Sequence, residues 1–397
     1  MRNLFPSFPR KRESRKRVSA SHDSYRRYRG LSWITAFAGM TFFLLFASPA
    51  RAEINIAAVG PLTGQDAPTG EQMQRGAEAA VEAINAAGGV MGQTLHLIIK
   101  DDVCDPKQAV AVANELSGDN VFGVIGHMCS GAAIPASKTY NEEGIVMISP
   151  SATSPALTEQ GFKNVFRTCG RDEQQGAVIA QYIAKHYPGK TIAIVHDKTA
   201  YGQGLADEVR KKLNALGLKE TIYESISRGE RDYGSLVSKL KQNNIDVLFF
   251  GGYHTEAGLI VRQMRDQGLK TAFFGDDDLT THEFWSITGD AGEGSFMSFN
   301  TDPRSKPEAA DAVKHLRAAG FDPEGTTLYT YAAVQVLAEA IERVKTLDSK
   351  KVIAALHEGS YPTVLGNVSF DAKGDVTNPD YIIYQWTKGS YVPVTEQ

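Results

Sequence analysis

The chain has 397 residues, of which 42% are hydrophobic and 22% are charged, and its formal net charge is −4. This length predicts two to three domains, and this composition excludes a disordered or collagen-like chain. The charge is unevenly distributed, because residues 1–52 hold 11 Lys or Arg and two acids, whereas residues 53–397 hold 31 basic and 44 acidic residues. An acidic body repels phosphate backbones, so the sequence argues against nucleic-acid partners.

The first 52 residues are predicted to be an export leader. A basic stretch precedes the mostly apolar residues 31–47, and an Ala-Arg-Ala site at 50–52 predicts cleavage before Glu53. The alternative is a membrane anchor, because 17 mostly apolar residues is a borderline length for a span. Residues 1–28 are long for a signal and are interpreted as a mis-called start or a translated repeat element. No cysteine lies at the cleavage site, so a lipid-anchored form is not expected.

The rest of the chain alternates strand-like and helix-like patterns. The first run is a strand at 53–60, a helix at 71–89, a strand at 94–100, a helix at 106–117 and strands at 121–126 and 145–149. The second run is a strand at 191–197, a helix at 203–216, a strand at 221–226, a helix at 234–243, a strand at 245–252, a helix at 255–267 and a strand at 271–275. The tail adds helices near 307–319, 327–345 and 349–357 and strands near 363–370 and 381–386.

This alternation predicts a doubly wound α/β fold with mainly parallel sheets. The strands are too many for one small sheet, so we expect two α/β lobes. A tail of this kind can return to the first lobe, which would make both domains discontinuous.

A search for catalytic motifs gives no positive feature. The sequence has no Walker A motif, no G-x-S-x-G and no H-E-x-x-H, and its histidines lack metal-ligand spacing. The Gly-x-Gly within residues 201–208 lacks the third glycine of a dinucleotide fingerprint and is weak. We therefore predict no enzyme activity, no metal and no cofactor.

Two polar loops of small residues follow predicted strands. They are HMCSGAA (127–133) and SPSATSP (149–155). Ligands of open α/β sheets bind beyond the carboxyl ends of strands, where backbone N–H groups favour a carboxylate. Ser130, Ser151 and Thr153 add hydroxyls there. The alternative is that these residues are only helix N-caps.

Several segments together resemble the periplasmic leucine/isoleucine/valine-binding proteins of bacterial ABC importers. They are DDVCDPKQAVAVANEL (101–116), IGHMCSGAAIPAS (125–137), GIVMISPSATSP (144–155), RTCGRDEQQG (167–176), IAIVHDKTAYGQGLADEV (192–209) and IDVLFFGGYHTEAG (245–258). The resemblance runs from about residue 53 to the C-terminus. It implies two lobes joined by three crossings that close on a ligand like a clamshell. Lobe 1 would be 53–171 plus 301–379, and lobe 2 would be 172–300 plus 380–397.

The resemblance also implies a site in lobe 1 for the backbone groups of an amino acid. Ser130 and Thr153 match positions that bind the α-carboxylate through N–H and hydroxyl groups. Ser151 matches the position whose carbonyl accepts from the α-ammonium. Met128 matches an apolar residue that lines the side-chain pocket.

Lobe 2 would supply the lid, with Tyr201, Tyr253 and an acid at Asp277. The family acid at the position of Asp277 is usually Glu. Thr69 stands where the family often has an aromatic residue, and because Thr is smaller, the pocket is expected to be larger or more polar. Some relatives in this family with Asp at this position favour 4-aminobutyrate or other small amino acids. Asp276 and Asp278 flank Asp277, and the alternative is that all three acids are solvated loop residues.

The implied function is a periplasmic, monomeric protein that binds a branched-chain or similar small aliphatic amino acid and delivers it to ABC permease subunits in the inner membrane. The open alternatives are a binder of 4-aminobutyrate or another small amino acid, a periplasmic sensor of the same fold, and an α/β enzyme. The family bridges the positions of Cys104 and Cys129, which leaves Cys169 as a free thiol.

Overall fold

A computed structural model describes residues 53–395, and the predicted export leader lies outside them. It contains two sheets whose strands are all or mostly parallel, and a two-stranded antiparallel hairpin. The strands are β1 (Glu53–Gly60), β2 (Thr94–Asp101), β3 (Gly123–Gly126), β4 (Val146–Ser149), β5 (Val165–Arg167), β6 (Ile192–His196), β7 (Ile222–Ser225), β8 (Val247–Gly251), β9 (Ala272–Phe274), β10 (Phe296–Asn300), β11 (Ser360–Thr363), β12 (Gly366–Ser369), β13 (Tyr381–Thr387) and β14 (Ser390–Pro393).

Helices follow most of these strands. They are α1 (Ala67–Ala86), α2 (Pro106–Gly118), α3 (Ser130–Glu143), α4 (Asp172–His186), α5 (Ala200–Ala215), α6 (Gly234–Gln242), α7 (His254–Asp266), α8 (His282–Thr288), α9 (Ala310–Ala318), α10 (Thr327–Val344) and α11 (Ser349–Glu358). Short 3₁₀ turns lie at Pro155–Leu157, Asp277–Thr280, Gly289–Gly292, Pro303–Ser305 and Pro307–Ala309. Among residues 53–395, no helix combines the length and the hydropathy that crossing a membrane requires.

The first sheet has the strand order β2-β1-β3-β4-β5, and every pairing in it is parallel. Val59 of β1 pairs with Lys100 of β2 on one side and with Gly126 of β3 on the other. The carboxyl ends of these central strands are therefore level, so the loops that leave them start from one edge of the sheet.

The second sheet has the order β14-β13-β10-β9-β8-β6-β7. Strands β6 to β10 are parallel, and β13 and β14 add an antiparallel edge. The chain leaves the first sheet after β5, leaves the second after β10, and returns to the second at β13. This is the predicted two-lobed α/β fold class.

Both faces of the first sheet are buried, as a parallel sheet requires. Ile54, Ile56 and Ala58 of β1 join an apolar cluster with α1 and α10, whereas Ala57 and Val59 join a second cluster with α2 and α3. This strict alternation along β1 is why a short, almost wholly apolar segment was a reliable strand signal.

Local capping explains why helix α2 was predicted to within one residue. Asp105 is the N-cap of α2, and its Oδ1 accepts from the N–H groups of Lys107 at 2.8 Å and Gln108 at 2.9 Å. Pro106 occupies the first helical position, where its missing N–H has no partner to lose.

The structure corrects the sequence-based elements at several places. Residues 127–133 were predicted to be a loop, but Ser130 begins α3. Gly131 and Pro135 lower the helix propensity of that segment, and burial of Ala132, Ala133 and Ala136 overrides it. The predicted helix at 71–89 begins earlier, at Ala67.

Other elements were not predicted at all. They are β5, α4, β10, α8 and β14, and the strand expected near 363–370 is instead the β11–β12 hairpin, which turns at Gly366 with φ of 88°. Most of these are short segments whose apolar residues do not repeat often enough to give a periodic signal.

Candidate functional site

One cavity gathers most of the predicted ligand residues. It has an empty volume of about 390 Å³ and is partly open to solvent. Its walls are formed by Thr69, Gln72, Met128, Ser130, Ser151, Tyr201, Tyr253, Asp277, Asp278, Thr280 and Thr326. Of the eight residues that the sequence predicted for the ligand, only Thr153 is not among them.

The cavity lies between the carboxyl edges of the two sheets, where open α/β sheets bind their ligands. We call Met128, Ser130 and Ser151, which follow β3 and β4, the first wall. We call Tyr201, Tyr253 and Asp277, which follow β6, β8 and β9, the second wall.

The first wall is neutral and rich in hydrogen-bond donors. Ser130 is the first residue of α3, a helix of 14 residues, and is 2% exposed. Its Oγ accepts from the backbone N–H of Ser154 at 3.2 Å, which joins the two loops of this wall. The N-terminus of a helix favours an anion, so this wall suits a carboxylate.

A buried arginine braces the loop that carries Ser151. The Arg167 guanidinium donates to the carbonyl oxygens of Ala152 at 2.7 Å and Ser154 at 3.0 Å. Arg167 is fully buried, and its charge is balanced by Asp375 at 2.7 Å. The loop is therefore held in shape by the protein's own contacts.

The second wall carries a charge toward the cavity. The Tyr201 hydroxyl donates to Asp277 Oδ1 at 2.5 Å, and the rings of Tyr201 and Tyr253 lie 5.4 Å apart. Burial raises the pKa of Asp277 to about 6, and the Tyr201 hydrogen bond offsets part of this rise. A cation in the cavity would stabilise the ionised form.

The two flanking acids are held by the second sheet itself. Asp276 is fully buried and accepts from the Gly252 N–H at 3.0 Å, so the alternative of three solvated loop acids is wrong for this residue. Asp278 accepts from the backbone N–H and from Nδ1 of His254, both at 2.8 Å. Asp277 is the acid whose protein partner, Tyr201, also lines the cavity.

A buried polar cluster lies behind these walls, and the sequence analysis named only one of its members, Thr153. Asp172 begins α4, where the chain crosses to the second sheet. It is fully buried, as is Thr153. Within residues 53–395, four side-chain oxygens of this cluster have no partner in hydrogen-bond geometry. They are both carboxylate oxygens of Asp172, Thr153 Oγ1 and Gln175 Oε1. Burial raises the pKa of Asp172 to about 7, the nearby Thr153 hydroxyl lowers it in part, and the charge of Asp277 raises it further.

Side chains also meet across the mouth of the cleft. Arg228 Nη2 donates to both oxygens of Asp66, at 2.7 and 2.8 Å, and its guanidinium lies 4.2 Å from the centre of the Tyr253 ring. Gln65 Nε2 donates to Glu256 Oε1 at 3.0 Å. Burial raises the pKa of Asp66, and the Arg228 charge opposes that rise.

Three cavity residues had no signal in the sequence analysis. They are Gln72, Thr280 and Thr326, whereas Asp278 was named there only as an acid that flanks Asp277. Gln72 lies on the buried face of α1, three residues after Thr69, which places both on one side of the helix. Thr280 and Thr326 lie in short connections, where no periodic pattern marks a residue as facing a cavity.

Cys104 and Cys129 form a disulfide, as the resemblance implied, and Cys169 is a buried free thiol. The bridge ties the loop after β2 to the residue that precedes α3, and so to the first wall. In the described part of the chain, the one cluster with metal-type side chains is Asp66 with these two bridged cysteines, which offer no thiolate.

Comparison with known families gives a match over almost all of the described chain. The family profile described as periplasmic binding protein covers residues 53–390. A Leu/Ile/Val-binding protein homolog 1 from Brucella melitensis is 50% identical over 359 residues, which cover 90% of this chain and 97% of the relative.

Solved structures show the same architecture. A leucine-binding protein LivK from Thermotoga maritima superposes with a TM-score of 0.79 at 25% identity, covering 86% of this chain and 98% of that one. A branched-chain amino acid transporter substrate-binding protein LivJ from Streptococcus pneumoniae, in complex with isoleucine, gives 0.78 at 26% identity, covering 86% and 100%.

Proposed function

The chain belongs to the periplasmic binding protein family, and we propose that it captures an amino acid in the cavity between its two lobes and delivers it to an ABC importer. One observation carries this proposal, namely that donors on the first wall and Asp277 on the second wall face one cavity. An amino acid zwitterion brings one charge for each wall. Burial of both charges is tolerated only when each is paired.

We propose that lobe 1 comprises residues 53–171 and 301–379 and that lobe 2 comprises residues 172–300 and 380–397. The placement of β13 and β14 in the second sheet and of α9 to α11 near the first supports this division. A ligand that contacts both lobes stabilises the closed arrangement, because the open one lacks half of those contacts.

The ligand subsites follow from the same geometry. Ser130 with the start of α3 holds the α-carboxylate, and Asp277 and the Ser151 carbonyl hold the ammonium. Met128 and Tyr253 contact the side chain. The names of the relatives support leucine, isoleucine and valine as first candidates. The shorter acid at Asp277 supports testing 4-aminobutyrate beside them.

A thermal-shift screen followed by calorimetric titration tests the proposal. The exported protein is titrated with the standard amino acids and 4-aminobutyrate, and we expect 1:1 binding of at least one. A bound ligand at a hundredfold excess over Kd adds about 2.7 kcal/mol to the free energy of unfolding, and so raises Tm. Recovery of that ligand unchanged excludes turnover. If none of these compounds binds, the proposal is wrong.

A second experiment separates an importer subunit from a periplasmic sensor of the same fold. Deletion of the gene should abolish uptake of the labelled ligand, and the signal-bearing chain should restore it. Fractionation should recover the chain from the periplasm, cleaved near Ala52. Unchanged uptake together with a lost behavioural or kinase response to the ligand would favour the sensor.

A further inference from the structure

Four cavity residues that bind neither charge of the zwitterion in the proposed function form a polar surface. We call Thr69, Gln72, Thr280 and Thr326 the polar wall. Thr69 and Gln72 share one side of α1, and Gln72 Oε1 accepts from the Thr326 N–H at 3.0 Å. A hydrocarbon side chain makes no hydrogen bond with such a surface.

Gln72 contributes a buried donor. A backbone N–H can be met only by the amide oxygen, so the bond from Thr326 fixes which way the Gln72 amide points. Gln72 is 2% exposed, and within residues 53–395 its Nε2 has no hydrogen-bond partner. A buried donor without an acceptor is costly, and most such groups in proteins are paired.

Gly325 lets this amide approach the second lobe. Its φ is 53°, and a Cβ there would lie 2.3 Å from Gln72 Oε1 and 2.9 Å from Thr280 Oγ1. Any larger residue would push these two groups apart. The chain therefore places the Gln72 amide beside a residue of the opposite lobe, where closure of the cleft would bring a ligand against both.

The threonines of the polar wall offer acceptors rather than donors. Thr69 Oγ1 donates to the Asp66 carbonyl at 2.8 Å, Thr280 Oγ1 donates to the Asp277 carbonyl at 2.7 Å, and Thr326 Oγ1 donates to Gln72 Oε1 at 3.3 Å. Each hydroxyl has only one proton, so what remains for a ligand is oxygen lone pairs.

We propose that the side chain of the bound amino acid is neutral and polar, carrying an amide or a hydroxyl, and that Gln72 Nε2 selects it. The ligand's oxygen accepts from Gln72 Nε2, and its N–H or O–H donates to a threonine oxygen. This inference rests on the proposed function for the cavity and for the two charges of the ligand. It differs from that proposal in the side chain, because it replaces the leucine, isoleucine and valine that the relatives' names support with polar amino acids.

Other side chains fail one part of this arrangement. Leucine leaves the Gln72 donor unpaired. A side-chain carboxylate would add a negative charge to a cavity that Asp277 and Asp278 already line. A lysine side chain has no acceptor for the Gln72 N–H. An amide meets both requirements with one group.

Calorimetric titration of the exported protein with seven ligands tests the selection. Asparagine, glutamine, serine and threonine are compared with leucine, glutamate and lysine. We expect at least one of the first four to bind about tenfold or more tighter than the last three, because a donor left unpaired is strongly penalised. Tightest binding by leucine, glutamate or lysine overturns this inference while leaving the proposed function intact. If none of the seven binds, this inference is overturned, whereas the proposed function is overturned only if the other standard amino acids and 4-aminobutyrate fail to bind as well.

Gln72→Glu tests the residue itself. The substitution keeps the shape and the oxygen that accepts from Thr326, and it exchanges the donor for an acceptor. We expect the affinity for the best polar ligand to fall by about tenfold or more, and the affinity for leucine to change by less than about threefold. Gln203→Glu, the same change at an exposed position of α5, is the matched control and should alter neither affinity.

Equal losses for the polar ligand and for leucine in Gln72→Glu would mean a general structural role and would overturn the assignment. If that variant does not fold, Thr326→Val replaces it. We expect Thr326→Val to weaken the polar ligand about threefold to tenfold and to leave leucine unchanged or tighter. Equal affinities in this variant and the wild type would overturn the assignment.

Discussion

The two walls of the cleft differ in charge and in the way their residues are held. The first wall is neutral, and Arg167 and Ser130 brace its loops through hydrogen bonds to backbone groups. The second wall carries acids whose pKa values burial raises, to about 6 in Asp277 and well above the ordinary value in Asp276. The first wall is thus ready for a carboxylate, whereas the second is electrostatically incomplete until a cation arrives. This difference is what can couple ligand binding to closure.

The largest expected effect is the loss of the charge on the second wall. Asp277→Asn should weaken binding of the best ligand by more than a hundredfold, because removing one partner of a buried ion pair costs roughly 3–5 kcal/mol. The Tm of the ligand-free protein should not fall, because burial raises the pKa of this carboxyl and its charge costs stability when no ligand is bound. Calorimetric titration measures the affinity of the wild type and of Asp277→Asn. If the affinity of Asp277→Asn is within threefold of that of the wild type, Asp277 does not bind the ammonium.

The pH dependence of binding tests the same charge without a substitution. The pKa of Asp277 in the ligand-free protein is raised to about 6, so the carboxyl gains a proton as pH falls through 6. A protonated carboxyl does not pair with an ammonium, so affinity should fall below pH 6 in the wild type and stay flat in Asp277→Asn.

Asp277→Glu separately tests the length of the acid and should shift preference toward α-amino acids with compact branched side chains.

Removal of the disulfide, which holds the start of the first wall, should lower the free energy of unfolding of the protein. Cys104 and Cys129 are 25 residues apart, and closing a loop of this size contributes about 3–4 kcal/mol. Cys104→Ser with Cys129→Ser should lower the free energy of unfolding by that amount in urea denaturation. Mass mapping of the oxidised wild type should find Cys169 unpaired, and a bridge that includes Cys169 would contradict the account.

Single hydroxyl deletions should have intermediate effects on binding. Ser130→Ala should weaken binding, because a hydrogen bond to a charged group contributes roughly 1.5–3 kcal/mol. Thr153→Ala should have a smaller effect, because Thr153 is fully buried and does not line the cavity. Ser117→Ala is a matched control, because its Oγ bonds only within α2, to the Ala113 carbonyl. Wild-type affinity in Ser130→Ala would mean that the carboxylate binds elsewhere.

The buried carboxylate of Asp172 is expected to destabilise the folded protein, so its removal should increase the free energy of unfolding. Its pKa in the folded protein is about 7 against an ordinary value near 3.8, so the folded state binds more protons than the unfolded state between these values. Stability from this group is therefore lost as pH rises from 4 to 7. Asp172→Asn should raise the free energy of unfolding at pH 8 by about 1–3 kcal/mol and flatten its pH dependence. Reduced stability at pH 8 would contradict this.

The smallest effect is expected at the mouth of the cleft. The Arg228 side chain is 22% exposed and that of Asp66 is 4% exposed, so water screens this pair in part, and we expect it to contribute less than the ion pair at Asp277. Asp66→Asn should weaken binding only a few-fold, and the loss should shrink in high salt. An effect as large as that of Asp277→Asn would mean that this pair, rather than the second wall, controls closure.

Much of the fold could be predicted from local patterns. Strand β1 alternates strictly between two apolar clusters, and Asp105-Pro106 is a strong helix start, so both were predicted closely. Helix α3 was not, because its glycine and proline oppose helix formation and its alanines are stabilised only by burial between neighbours. The antiparallel strand β14 gave no pattern that distinguishes it from a loop.

The site divides in the same way. Ser130 was predicted because it follows a recognisable strand end, and its position follows from the parallel topology. Tyr201 was predicted from the family resemblance alone. Asp172 and Gln72 were not, because their importance comes from hydrogen-bonding atoms that the fold leaves without partners. That property depends on residues distant in sequence, and no local motif records it.

The most direct test of the central claim, that the two walls hold the two charges of one zwitterion, is a pair of calorimetric titrations on the same protein. The best amino acid is compared with its analogue that lacks the ammonium group, in the wild type and in Asp277→Asn. The account predicts that the analogue binds the wild type more than about a hundredfold more weakly, and that this gap falls below about tenfold in Asp277→Asn. Equal affinity of the two compounds for the wild type, or an unchanged gap in the variant, would contradict it.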